Sequence, residues 1–213
     1  MTFGLALVLA LASILASQAR AGEQMYEPLS ASVRAAMSEA VSDSGVPALR
    51  FADPADGYKW LAEMSERLKD RVPDAKARVD LLKTVHYEAT RAGLDPQLVL
   101  GVMQVESGFK KYAVSSAGAR GYMQVMPFWV KLIGESRHNL FHLRVNLRYG
   151  CVILPHYLDI EKGDLFRALG RYNGSLGRPE YPNLVFAALR QWKYDGRLAT
   201  NTTEPLVRAF APV

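Results

Sequence analysis

Two Asp-Pro steps, Asp53-Pro54 and Asp95-Pro96, each open a run of apolar residues at helical spacing, and no stretch of alternating β-branched residues competes with them. An aspartate ahead of a helix accepts the unpaired N–H groups of the first turn, and a proline there has no N–H to leave unpaired. The first such helix carries Trp60, Leu61, Met64 and Leu68 and ends by Val72-Pro73. A second runs from about Asp74 to Ala92, with Val79, Leu82, Val85 and His86 on one face and Gly93 as its stop, and a third runs from Pro96 to Glu106. Further helices are expected over roughly Gly121 to Ile133, Leu140 to Leu158 with an interruption at Pro155, Leu165 to Tyr172 and Leu184 to Lys193. The expected fold class is all-α, without internal repeats.

Glu106 sits oddly in this pattern. Val99, Val102, Met103 and Glu106 have the i, i+3, i+4, i+7 spacing of a single stripe, so the carboxyl belongs to the face that should be buried. A carboxyl beside Val and Met side chains loses hydration, which penalises its charged form and raises its pKa. That is the property a general acid needs near neutral pH. Downstream, the small-residue stretch Ala113 to Gly121 permits close backbone approach to a ligand, while Ser115, Gln124, Tyr172 and Asn173 supply uncharged hydrogen-bonding groups suited to hydroxyls and N-acetyl groups. Glu106 is therefore the candidate catalytic acid of a carbohydrate cleft.

Three separated blocks carry a family resemblance: Glu106-Ser107-Gly108-Phe109, then Ala113-x-Ser115-x-x-Gly118-Ala119-x-Gly121-x-Met123-Gln124-x-Met126-Pro127, then Ala168-x-x-x-Tyr172-Asn173-Gly174. Together they resemble the catalytic domain of soluble lytic transglycosylases over roughly residues 80 to 190. The resemblance implies an all-helical lysozyme-like fold, of the goose-type lysozyme kind, with an extra N-terminal helix. It also implies cleavage of the MurNAc-GlcNAc β-1,4 bond of peptidoglycan with formation of a 1,6-anhydro ring. Glu106 would act as acid and then base. Ser115 would orient the substrate N-acetyl group, Gln124 would contact substrate, and Ser107, Met126, Tyr172 and Asn173 would line the same cleft. The usual Tyr-Asn-Ala-Gly is replaced here by Tyr172-Asn173-Gly174-Ser175, which alters the loop after the aromatic and amide.

Glycosidases commonly use two carboxyl groups on opposite sides of the sugar. Between Ser107 and Leu158 the sequence offers only Glu135, at an expected helix end, with Asp159 and Glu161 in a polar stretch beyond. One acid suffices where the substrate's own N-acetyl carbonyl stabilises the cationic centre and its 6-hydroxyl attacks in place of water. Two alternatives stay open: a hydrolytic muramidase on the same fold, and a non-catalytic glycan-binding or secretion-apparatus scaffold.

The chain opens with an apolar run from Phe3 to Ala16 followed by Ser17-Gln18-Ala19-Arg20-Ala21, which reads as a secretory signal peptide over residues 1–21. Export to the periplasm is expected, not as a lipoprotein, since Cys151 is the only cysteine and lies far from the cleavage site. No other run approaches the roughly 20 apolar residues of a membrane span. The remaining chain divides into an N-terminal segment over 22–78, loosely packed from Gly22 to Arg50, a catalytic domain over 79–195 and a polar tail over 196–213. The formal net charge of +5 becomes +4 on loss of Arg20, a mild excess that suits the acidic cell wall and is no nucleic-acid binder's patch. Peptidoglycan strands are the expected partner, with a cell-wall or secretion machinery as a second.

Other groups have plainer readings. Cys151, within Cys151-Val152-Ile153-Leu154, reads as a small core residue. His138 and His142 share a helical i, i+4 spacing but lack the glutamate of a metalloprotease pattern, so no metal is expected. Gly118-Ala119-Arg120-Gly121 has neither a preceding strand nor a following Lys-Ser/Thr, which argues against a nucleotide loop. No cofactor is implied, because proton transfer and intramolecular attack need only an acid and a shaped cleft.

Overall fold

A computed structural model describes residues 24–195. The expected signal peptide and the polar tail from 196 lie outside the described residues. Among the described residues eight helices follow in order: α1 (Ala31–Ser42), α2 (Pro54–Leu68), α3 (Ala75–Arg91), α4 (Pro96–Ser107), α5 (Phe128–Ile133), α6 (Leu143–Ile160), α7 (Leu165–Asn173) and α8 (Glu180–Trp192). The described residues contain no strand, only isolated bridges of Arg120 with Val114 and with Val125. The fold is all-α, as the periodicity requires.

The helix starts are chemically explicit. Side chains of Asp53, Asp74, Asp95 and Asp164 accept hydrogen bonds from the backbone N–H of Ala55, Ala77, Gln97 and Arg167. Each bond satisfies a donor that the helix itself leaves free, worth about 1 kcal/mol.

Helix α4 forms the centre. Its face from Leu98 to Met103 is buried, and it packs chiefly against α8. At Gly101 an added Cβ would stand 3.2 Å from the backbone N of Leu189, so the absence of a side chain lets the two helices approach backbone to backbone. Helix α6 runs beside α3 and α7 and buries Leu147, Tyr149, Cys151, Ile153 and Leu154. Cys151 is fully enclosed, and burial pushes its thiol pKa up, consistent with a core role.

Three sequence expectations change. Helix α5 begins at Phe128 rather than near Gly121, because Gly121 (φ 76°) and Gln124 (φ 47°) hold left-handed conformations that a helix cannot accommodate. Pro155 sits inside α6 without ending it, at the cost of one backbone hydrogen bond. The segment expected to be loose instead contains α1, capped by the Ser30 side chain and packed on α5 and α6. Its sequence signal is weak because only Met37 and Val41 are buried, about 2 kcal/mol each.

Polar contacts lock α1 in place. Buried Glu88 of α3 receives Arg148 Nη2 at 2.9 Å and Arg91 Nη2 at 3.0 Å. Arg148 also donates to the carbonyls of Val41 and Asp43, and the Asp43 carboxylate lies 3.4 Å from Arg91. Trp60 of α2 is fully buried against Phe51 and His86, so it packs onto the core.

Candidate active site

Glu106 occupies the last turn of α4, just before the chain reverses at Gly108 (φ 57°) and Phe109 (φ 66°). The stripe logic holds: Val99, Val102 and Met103 are fully buried, and Glu106 retains 6% of its surface. Its Oε1 accepts a 2.6 Å hydrogen bond from the hydroxyl of Tyr181, in the first turn of α8. Its Oε2 is buried without a hydrogen-bond partner among the described residues. Loss of hydration raises the Glu106 pKa to about 8, against the opposing pull of the Tyr181 hydrogen bond. At neutral pH the group is a protonated acid, and among the described residues no second carboxylate contributes to its raised pKa.

The loop from Ala113 to Pro127 is pinned beside this carboxyl by side chains from three helices. Ser107 Oγ, on α4, donates to the carbonyl of Tyr122 at 2.7 Å. Asn146, on α6, accepts from Met123 N at 2.8 Å and donates to the carbonyls of Arg120 and Leu140 at 2.8 and 2.9 Å. Tyr172, on α7, donates from its hydroxyl to the Met123 carbonyl at 2.8 Å. Within the loop, Gln124 Nε2 donates to Gly121 O at 2.9 Å and Ala113 O at 3.2 Å. Gly121 cannot be replaced, since a Cβ there would stand 2.5 Å from Asn146 Nδ2 and 2.6 Å from Leu140 O.

The sequence-derived site residues thus divide. Ser107, Gln124 and Tyr172 were expected as substrate contacts, yet their donors are directed into the loop backbone and all three are buried. They shape the site because the buried carbonyls of a non-helical loop need donors. Ser115 is half-buried, and its Oγ accepts from Ala119 N at 3.1 Å, leaving the hydroxyl proton to be donated elsewhere. Met126 is half-buried at the end of the loop, and Asn173 is 7% exposed at the end of α7. Arg120 is exposed, its guanidinium 5.9 Å from the Phe141 ring.

Sequence reading missed Tyr181 and Asn146. Asn146 did leave a signal of the kind that revealed Glu106: it shares the buried stripe of α6 with Gly150 and Ile153. Tyr181 left none, because its partner lies 75 residues away. The two histidines of the i, i+4 pair serve locally: His138 Nδ1 lies 2.9 Å from the Tyr149 hydroxyl, and His142 directly precedes α6.

Residues 83–183 match the family model described as "Transglycosylase SLT domain", which contains Glu106, the pinned loop, Tyr172 and Tyr181. The chain is 33% identical over 99 residues to a transglycosylase of Enterobacteria phage PRD1, covering 46% of this chain and 36% of that one. It is 50% identical over 136 residues to membrane-bound lytic murein transglycosylase C of Histophilus somni, covering 56% and 35%. It is 54% identical over 46 residues to the protein of the same name from Actinobacillus pleuropneumoniae, covering 22% and 13%. The chain spans about a third or less of the length of these relatives. No solved structure matches significantly.

Proposed function

We propose, on the premise that residues 83–183 are a transglycosylase SLT domain, that this chain is a peptidoglycan lytic transglycosylase with Glu106 as its single acid and base. The observation that carries this reading is the Glu106 carboxyl itself: buried, protonated near neutral pH, hydrogen-bonded to Tyr181 through one oxygen and without a partner at the other.

Glu106 donates its proton to the glycosidic oxygen leaving the MurNAc residue. The substrate's N-acetyl carbonyl stabilises the positive charge that develops at the anomeric carbon. The carboxylate then takes the proton of the MurNAc 6-hydroxyl as that oxygen closes the 1,6-anhydro ring, and the acid is regenerated. Tyr181 stabilises the transient carboxylate by donating to Oε1, an effect that is larger in a water-poor site than in bulk water. Ser115 orients the N-acetyl group, Met126 and Asn173 line the glycan path, and Ser107, Gln124 and Tyr172 hold the loop that presents them. Residues 79–195 serve as the catalytic domain and 22–78 as its support. The substrate is peptidoglycan and the compartment the periplasm, reached through the signal peptide of residues 1–21. Among the described residues no helix is long and apolar enough to cross a membrane.

The test is digestion of purified sacculi by the chain and by Glu106→Gln, with the released muropeptides weighed by mass spectrometry. Products lighter by one water than hydrolytic ones, absent with Glu106→Gln, are expected. Ordinary reducing ends would reassign the chain as a muramidase, and activity surviving in Glu106→Gln would remove Glu106 from the mechanism.

A further inference from the structure

The first described residues, Gln24 to Leu29, form an extended arm laid over the N-terminus of α5 and over α7. Met25 and Tyr26 are 67% and 59% exposed, but Gln24 is inserted and only 3% exposed. Its Oε1 accepts from the indole Nε1 of Trp129 at 2.9 Å and from Met126 N at 3.4 Å. Its Nε2 faces the Tyr172 hydroxyl, whose acidity it affects, yet is buried without an acceptor at hydrogen-bonding geometry. The Tyr172 phenol is in turn close enough to feel the charge of Glu106. Gln24 therefore sits against Met126, at the end of the loop that Tyr172, Ser107 and Asn146 hold beside Glu106.

The contacts of the arm have the character of a bound ligand. None of residues 24–29 makes a backbone–backbone hydrogen bond among the described residues. Attachment rests on the Gln24 carboxamide, an edge-on contact of Tyr26 with Phe128 at 5.8 Å, a 2.9 Å ion pair of Glu27 with Arg171, and Leu29 against the core. The ion pair is partly exposed, so it holds the arm only weakly. The pocket that receives Gln24 provides two N–H donors converging on one carbonyl oxygen, from Trp129 and Met126. A carboxamide and an acetamide present the same carbonyl acceptor, and the unpaired Nε2 indicates a pocket imperfectly matched to glutamine.

The geometry points to the arm Gln24–Leu29 as a self-ligand, whose Gln24 carboxamide fills an acetamide subsite that an N-acetylhexosamine must take over before the cleft can be occupied. The inference rests on the glycan-directed reading of the site given above. Glycan and arm then compete for the same donors, and the apparent affinity for glycan is reduced by the fraction of molecules with the arm seated.

The test measures calorimetric binding of the β-1,4-linked trimer of N-acetylglucosamine to the Glu106→Gln chain, alone and with either Gln24→Ala or Glu27→Lys added. Gln24→Ala is expected to tighten the dissociation constant by about tenfold and Glu27→Lys by about threefold, as the seated fraction falls. Melting temperatures recorded in parallel identify a merely structural arm, whose loss would weaken binding together with stability. Unchanged or weaker affinity in both arm variants, or no trimer binding by any of the three proteins, overturns the inference. Sacculus digestion by the parent chain is read separately. Cleavage with unaltered trimer affinities refutes the self-ligand alone, whereas altered affinities without cleavage refute the enzymatic reading and leave the competing arm standing.

Discussion

Replacing Glu106 by Gln should change the stability of the protein by an amount that depends on pH in a defined way, increasingly in favour of the variant as pH rises. The folded-state pKa is raised from 4.5 to about 8 by burial, so between these values the folded chain holds a proton that the unfolded chain has released. Wild-type stability therefore falls as pH rises through this window and levels off above it. At about 1.36 kcal/mol per unit, the full window corresponds to a ceiling of about 5 kcal/mol, and the step from pH 5 to pH 7 to about 2–3 kcal/mol. Glutamine keeps an acceptor for the Tyr181 hydroxyl but carries no titrating proton. Its buried NH2, placed where Oε2 lacks a partner, costs about 1–3 kcal/mol, equally at both pH values. That cost cancels in the difference. Urea unfolding of both proteins at pH 5 and pH 7 should show the stability gap moving toward the variant by up to about 2–3 kcal/mol. A gap that does not change with pH would mean that Glu106 is hydrated and ionised in the folded protein and is no buried acid.

The same raised pKa sets the activity profile: glycan cleavage should decline as pH rises through about 8, where the acid form is lost. Tyr181→Phe removes the hydrogen bond that lowers the Glu106 pKa, so initial rates across pH should show the alkaline limb moved upward and the maximum reduced. Asn146→Ala removes two hydrogen bonds to the loop and a third to the Leu140 carbonyl, with an expected loss of about 3 kcal/mol in denaturant unfolding and of most sacculus-digesting activity. Glu88→Ala leaves Arg148 and Arg91 without their shared buried carboxylate and should destabilise the chain by about 3–5 kcal/mol, measurable as a large fall in the thermal midpoint.

Local chemistry was legible where it is written in consecutive residues. Asp53, Asp74 and Asp95 announced helix starts because capping involves only the next two or three backbone N–H groups. Glu106 announced itself because helical periodicity alone assigns it to an apolar face, and burial of a carboxyl has one electrostatic consequence. Helix α1 was hidden because so few of its residues meet the core, and its Arg148 clamp comes from a distant part of the chain. The stretch after Gly121 looked helical by composition but is governed by positive φ angles and by Asn146, neither of which hydrophobic spacing records.

The sequence by itself determined an all-helical chain and the burial of the Glu106 carboxyl, since both follow from residue spacing and from the cost of placing a charge among apolar side chains. Only the tertiary structure decided how that carboxyl is held and which polar side chains donate to the loop backbone. It brings Tyr181 of α8 to Glu106 of α4, turns Ser107, Gln124 and Tyr172 toward backbone carbonyls, and seats Gln24 against Trp129. The physical reason is that hydrogen bonds reach about 3 Å through space irrespective of separation along the chain, so their partners are fixed by helix packing.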